Sequence, residues 1–229
     1  MTQSEPSLPG WDRVLAVVAH PDDESFGLGA VISTFVEAGA IVRVMCFTHG
    51  EASTLHGVDG DLRTIRAAEL AAAGDALGVD SIQLLDYPDG ALHDVAVDVL
   101  AAHVLDEARQ HRAQGLVVFD TTGITGHPDH MQATAAALSA ADELGVGVLA
   151  WTLPNPVAAA LSLEFGIGFV GRSTDQIDLV LSVDRTRQRR AVACHPSQAV
   201  PGSALWRRLD LMRAEEHLRW LGHADTPST

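Results

Sequence analysis

Lysine is absent from this chain of 229 residues. All 15 of its permanent cations are arginine, against 30 aspartates and glutamates, for a formal net charge of −15. Such an acidic excess argues against binding nucleic acid or an anionic membrane surface, both of which attract clustered positive charge. Cysteine is scarce. Cys46 and Cys194 are the only two, each in an apolar or helical setting; they make no disulfide framework, and a cytoplasmic location is expected. No apolar run approaches the roughly 18–20 residues of a membrane span. Residues 1–10 are polar with two prolines. They lack the basic-then-apolar order of a signal peptide and are expected to be frayed. There is no internal repeat, and no low-complexity segment beyond Ala-rich helices. What is present is apolar content, 47 % of residues, ample for the core of a single domain over residues 1–229.

Short continuous apolar runs at 14–18, 41–47, 81–85, 116–119 and 146–151 read as buried strands. Segments 25–38, 62–77, 95–111 and 131–144 carry apolar residues at helical spacing, and Gly39 and Gly78 stop the first two. This alternation predicts an α/β fold: a Rossmann-like, doubly wound, mainly parallel sheet with helices on both faces. The pattern weakens after Trp151. A helix is expected over 157–164, a strand over 177–183, and helices over 185–194 and 204–221.

The chemistry concentrates where the first strand ends, in His20-Pro21-Asp22-Asp23-Glu24. Three adjacent carboxylates repel one another, and a bound cation would relieve that repulsion. A structural reading also exists: Pro21 makes the turn, Asp22 or Asp23 caps the next helix, and Glu24 favours its dipole. A second such turn, His127-Pro128-Asp129-His130, follows the fourth strand. In a sheet ordered 3-2-1-4-5, strands one and four are neighbours at the topological switch point, so both turns face one crevice. Three N/O ligands and an open position describe a catalytic zinc site. His20, Asp23 and one of His127 and His130 would supply the ligands. Asp22, beside the ligands but not among them, is the natural general base. Phe26-Gly27-Leu28-Gly29 echoes a dinucleotide turn, but its completing glycine is missing and the carboxylates would repel a pyrophosphate.

The pair of turns resembles the LmbE / PIG-L family of zinc-dependent N-deacetylases. Thr48-His49-Gly50-Glu51, Arg66-Ala67-Ala68-Glu69-Leu70, Asp89-Gly90 and Cys194-His195-Pro196-Ser197-Gln198 fit the same family in order. The resemblance implies removal of an acetyl or other acyl group from an N-acetylated amino sugar or related glycoside. It implies one Zn2+ per chain on His20, Asp23 and His130, although an N/O site also suits other divalent ions such as Fe2+. Asp22 would be the base, and His127 the oxyanion stabiliser or acid. Arg66, Asp89 and Glu51 would hold sugar hydroxyls. One departure concerns the acid: some amino-sugar deacetylases of the family carry a tyrosine two residues before the histidine matching His127, and here that residue is Thr125. The implied partner is a small amino-sugar-like molecule, with neither nucleic acid nor membrane involved.

Several residues also have plain readings. His49 and His56 suit a solvated loop, Arg66 a helix surface, and Asp89 an ordinary turn. His195 beside Cys194 has no activating partner in the sequence; the resemblance makes it a substrate-side or interface residue. Arg185, Arg187, Arg189 and Arg190 read as a solvated helix face able to pair with acids of another subunit. With Trp206 and Trp220 they are the hints of a homo-oligomer. Two alternatives stand beside the deacetylase: an amidase for a thiol conjugate or natural-product glycoside, and a non-catalytic metal-containing module. A binding module has no need of a spare base beside its ligands.

Overall fold

The computed structural model describes residues 7–54 and 58–222. His56 and the first six residues of the segment expected to be frayed lie outside the described residues. Five parallel strands form the heart of the fold: β1 (Arg13–Val18), β2 (Ile41–Thr48), β3 (Ser81–Tyr87), β4 (Gly115–Phe119) and β5 (Gly147–Pro154). A two-residue strand, β6 (Gly171–Arg172), pairs with the end of β5, and β7 (Leu179–Ser182) and β8 (Glu215–Leu221) add antiparallel strands. The sheet order is β3-β2-β1-β4-β5-β8-β7. The crossover from one half to the other therefore falls between β1 and β4, as the sequence predicts.

The continuous apolar runs are explained by burial on both faces. Side chains alternate along a strand, and β1 sends Val14, Ala16 and Val18 into one core and Leu15, Val17 and Ala19 into the other. The helices are α1 (Asp23–Phe26), α2 (Gly29–Glu37), α3 (Leu62–Leu77), α4 (Val97–His111), the single turn α5 (Gly123–Gly126), α6 (Pro128–Leu144), α7 (Asn155–Phe165), α8 (Thr186–Ala193) and α9 (Ala204–Met212). Helices α4 and α6 pack against each other beside the second core, while α2, α3 and α8 pack together beside the first. Gly78 closes α3 at φ +82°, a conformation glycine adopts without steric cost. Among the described residues no helix is long and apolar enough to cross a membrane.

Two helical expectations need correction. The segment 25–38 is not one helix. The amides of Gly27 and Leu28 both bond to the carbonyl of Asp23 at 3.0 and 3.1 Å, so the ladder slips by one residue in a π-type turn. The ring of Phe119 fills the place where a Cβ on Gly27 would stand, 2.3 Å away. The segment 204–221 is not one helix either. It stops at Met212, Arg213 takes φ +51°, and Glu215–Leu221 runs between β5 and β7 as β8. The basic cluster is not wholly solvated: Arg185 is 7 % exposed and ion-paired with Glu216, a residue of β8.

Candidate metal centre

β1 and β4 deliver the two turns to the same crevice. His20 follows β1, Asp23 opens α1, and His130 lies in the first turn of α6. His20 Nδ1 is 3.2 Å from His130 Nε2, His130 Nε2 is 3.1 Å from Asp23 Oδ1, and His20 Nδ1 is 3.6 Å from Asp23 Oδ2. Ligands at ~2.0–2.1 Å in a tetrahedron stand about 3.3 Å apart, so these donors are spaced for one ion. Each is also oriented from behind. Asp23 Oδ2 accepts from the amides of Ala19 and His20 at 3.1 and 2.9 Å, leaving Oδ1 for the centre. The Nδ1–H of His130 donates to the Gly123 carbonyl at 3.2 Å, leaving Nε2 as the donor to a metal. His20 Nε2 is 3.0 Å from Asp89 Oδ1 and 3.3 Å from Asp129 Oδ2, a carboxylate–histidine arrangement that fixes the tautomer and raises ligand basicity.

The electrostatics suit a cation. Burial alone would lower the pKa of His20, but hydrogen bonds with Asp129, Asp23 and Asp89 hold it well above its ordinary value. Burial would raise the pKa of Asp23, but His130 and His20 hold it well below the carboxylate range. A second group of possible ligands, His20, His127 and Asp129, lies close by. It suits an ion less well. Asp129 is fully buried, and its oxygens already accept from the amides of Gly90 at 2.8 Å and Leu92 at 3.0 Å.

Asp22 sits beside these candidate ligands with φ +117°, left-handed backbone that costs a non-glycine residue roughly 1–3 kcal/mol. The surroundings impose it. Its amide donates to Glu24 Oε2 at 2.9 Å, and Arg66 Nη2 bonds both the Pro21 carbonyl and Asp22 Oδ2, the latter at 3.0 Å. Burial pushes the Asp22 carboxyl up to about 6; Arg66 pulls it down, and Asp23 and Glu24 push it further up. His127 caps α6 with its own ring, Nδ1 accepting the Asp129 amide at 3.3 Å. In that tautomer Nε2 carries the proton. The His127 ring stacks on His130 with centroids 4.6 Å apart, and burial, then His130 and His20, lowers its pKa.

A cavity of about 520 Å³ opens over this cluster, within the usual range for small-molecule sites. Its lining is two-sided. Asp22, Ser53, Arg66, Asp89 and Gln198 give polar groups, and Phe26, Phe119, Ile124, Trp151 and Phe169 give apolar ones. Thr125 lines it too.

The residues expected to hold hydroxyls are placed unevenly. Asp89 lines the cavity, with Oδ1 against His20 and Oδ2 accepting the Ala52 amide at 2.8 Å. Arg66 lines it but is 3 % exposed, and it spends its guanidinium on Asp22, Pro21 and, at 2.5 Å, the Gly50 carbonyl. Glu51 is not among the lining residues; its Oε1 accepts the Asp89 amide at 3.2 Å. His49 is not a freely solvated residue: its Nε2 lies 2.9 Å from Asp86.

Two features of the site escape the sequence reading, which gives Glu24 only a helix-dipole role and leaves His195 as a substrate-side or interface residue. Asp129 stood inside a recognised turn but was given no role. Glu24 and His195, both fully buried, form a pair at 2.7 Å behind the turn that holds Asp22. His195 therefore faces Glu24 rather than an interface. Against burial, the nearby Glu24 keeps its pKa raised. Only the histidine inside Cys194-His195-Pro196-Ser197-Gln198 hinted at this, because a partner 171 residues away in sequence leaves no local pattern.

Comparison with known proteins adds three findings. A family model described as PIG-L, GlcNAc-PI de-N-acetylase, matches residues 15–141. A 1D-myo-inositol 2-acetamido-2-deoxy-alpha-D-glucopyranoside deacetylase of Streptomyces griseus subsp. griseus is 37 % identical over 155 residues, 57 % of this chain and 48 % of the relative. The chain thus matches about half the length of that relative. Among solved structures, a deacetylase of teicoplanin biosynthesis superposes with a TM-score of 0.72 at 23 % identity, covering 93 % of this chain and 99 % of the other. The 4-carboxy-2-hydroxymuconate hydratase GalB from Pseudomonas putida KT2440 does so with 0.68 at 18 %, covering 95 % and 99 %. Since deacetylase and hydratase share this fold, the reaction has to be argued from the site.

Proposed function

The chain belongs to the PIG-L family, and we propose that it is a metal-dependent amidohydrolase that removes the acetyl group from an N-acetylated amino-sugar glycoside. The observation that carries the reading is the cluster of His20, Asp23 and His130 at single-ion spacing with Asp22 held beside it, unligated. A structural metal site is closed by four protein ligands, whereas a catalytic one keeps a position open. The polar lining from Asp89, Ser53 and Gln198 suits sugar hydroxyls. Zn2+ is the ion that the donor set favours, and Fe2+ also fits it.

A divalent ion held there supplies a Lewis acid that polarises the amide carbonyl and acidifies water. The protein does the rest. Asp22, with a carboxyl tuned to about 6, is matched to taking a proton from the attacking water at neutral pH. Arg66 fixes its orientation. The Nε2–H of His127, set by the cap that its Nδ1 makes, donates to the developing oxyanion. Asp22 then returns its proton to the departing nitrogen, so water and amide become amine and acetate. No tyrosine is called on, consistent with Thr125.

Substitution separates the roles. Asp22→Ala should keep the metal and lose ~10²–10⁴-fold in kcat, the span of an acid–base group. His130→Ala should lose the metal itself, measured as bound metal per chain after gel filtration. A stoichiometric ion in His130→Ala would move the third ligand to His127. Full activity in Asp22→Ala would remove Asp22 from the mechanism.

A further inference from the structure

The apolar side of the cavity ends in a buried cation that the proposed hydrolysis does not use. From the centre, Phe119 packs on His130 with centroids 4.8 Å apart, and Trp151 on Phe119 at 5.2 Å. The Arg208 guanidinium carbon then stands 4.9 Å from the Trp151 ring centroid. Arg208 lines the cavity yet is only 5 % exposed. Its Nη2 donates to the Phe26 carbonyl, and its Nη1 has no hydrogen-bond partner. Among the described residues no carboxylate lies within 4.0 Å of it.

The nearby acid is already engaged. Glu216, fully buried, pairs through Oε1 with Arg185 and accepts the Trp151 indole N–H through Oε2 at 2.7 Å. Arg185 is better partnered: it also bonds Gln188 at 2.6 Å and the carbonyls of Glu215, at 2.7 Å, and Arg213. Glu216 thus pairs with Arg185 and acts on Arg208 only through space. A buried charge without a partner is costly, and burial accordingly pulls the Arg208 pKa down to about 10, against the pull of Glu216 and with the help of Arg185. It stays charged at neutral pH.

We propose that Arg208, with the faces of Trp151 and Phe119, is an anion subsite that selects substrates carrying a carboxylate, sulfonate or phosphate joined through a flat apolar spacer to the amide-bearing sugar. This rests on the deacetylase reading for the word substrate, while the anion site itself does not. The apolar spacer lies against the cavity-facing edges of the rings, and the anion sits on the cavity side of the guanidinium. A charge-assisted hydrogen bond of this kind corresponds to about 10- to 100-fold in affinity. The anionic group can come from the aglycone or from the far end of the acyl chain.

The test uses the metal-loaded full chain and a probe that ligates metals poorly. Calorimetry compares 3-phenylpropane-1-sulfonate with 3-phenylpropan-1-ol. The sulfonate should bind about 10-fold tighter or better, Arg208→Met should bring the ratio to about one, and Arg208→Lys should retain part of it. Equal binding of the two probes by the unmodified protein would overturn the proposal, as would a preference surviving in Arg208→Met or no binding of either probe. If Arg208→Met fails to fold, Arg208→Lys decides: a ratio unchanged from the unmodified protein overturns the subsite. Hydrolysis then locates the anion. A 4-sulfophenyl N-acetylglucosaminide preferred over the phenyl glycoside through KM places it on the aglycone. N-succinylglucosamine preferred over N-butyrylglucosamine places it on the acyl chain. Arg208-dependent sulfonate binding without hydrolysis of any amide would keep the subsite and sink the deacetylase reading.

Discussion

At the scale of single residues, the proposed centre depends on what stands behind its candidate ligands. Asp129 touches His20 through one oxygen and two loop amides through both, so it ties His20 to the loop after β3. Asp129→Asn keeps the volume and loses the charge. We expect metal affinity to fall about 10- to 100-fold, the usual effect of such a change, measured by competition with a chromophoric chelator. His111 acts on stability rather than on the site. It is fully buried, and its Nε2–H is shared between the carbonyls of Val14 and Ile41 at 3.1 Å each. Burial lowers its pKa below the ordinary value of 6.5. The native state therefore resists protonation while the unfolded chain takes the proton. The stability this gives is complete above pH 6.5 and is lost as pH falls towards the lowered folded value. Urea midpoints between pH 7 and 5 should fall more steeply for the unmodified protein than for His111→Gln; parallel slopes would remove His111 as a contributor.

At the scale of elements, the break between α1 and α2 links packing to chemistry. Gly27 leaves the space that Phe119 occupies, and Phe119 backs His130. Gly27→Ala puts a methyl into that ring. It should cost about 1–3 kcal/mol in unfolding free energy, as overpacking does, and weaken metal binding as well. A loss of stability with unchanged metal affinity would uncouple Phe119 from the centre. The same break shows why local patterns misread part of the chain. Apolar spacing over 25–38 carries no trace of a ring arriving from β4. Glu215–Leu221 reads as helix because the partners that make it a strand, β5 and β7, are remote in sequence. The five parallel strands were legible because burial on both faces writes itself as an unbroken apolar run. The turns with His20, Asp22, Asp23, His127 and His130 drew notice in the sequence because one histidine-proline-aspartate pattern recurs after the first and fourth strands. Arg208 was not, since one arginine among 15 gives no sign of being buried without a counter-charge.

At the scale of the whole molecule, the strand order is what turns two motifs about a hundred residues apart into one site. Adjacent β1 and β4 bring their carboxyl ends together, and the carboxylates of Asp23, Asp89 and Asp129 converge there around one histidine. A cation that binds this arrangement and not the unfolded chain stabilises the fold by mass action, about 2.7 kcal/mol at a hundred times Kd. Loading with Zn2+ should raise Tm by roughly 5–10 °C for a chain of this size, and a chelator should reverse the gain. An unchanged Tm would contradict a centre preformed by the fold. The central claim is tested most directly by amine release from N-acetylglucosamine glycosides, with acetate counted alongside. We expect equal amounts of amine and acetate from the metal-loaded chain, abolition by a chelator, and recovery when the metal is restored. A folded chain carrying one divalent ion that releases neither product from neutral or anionic glycosides would contradict the account.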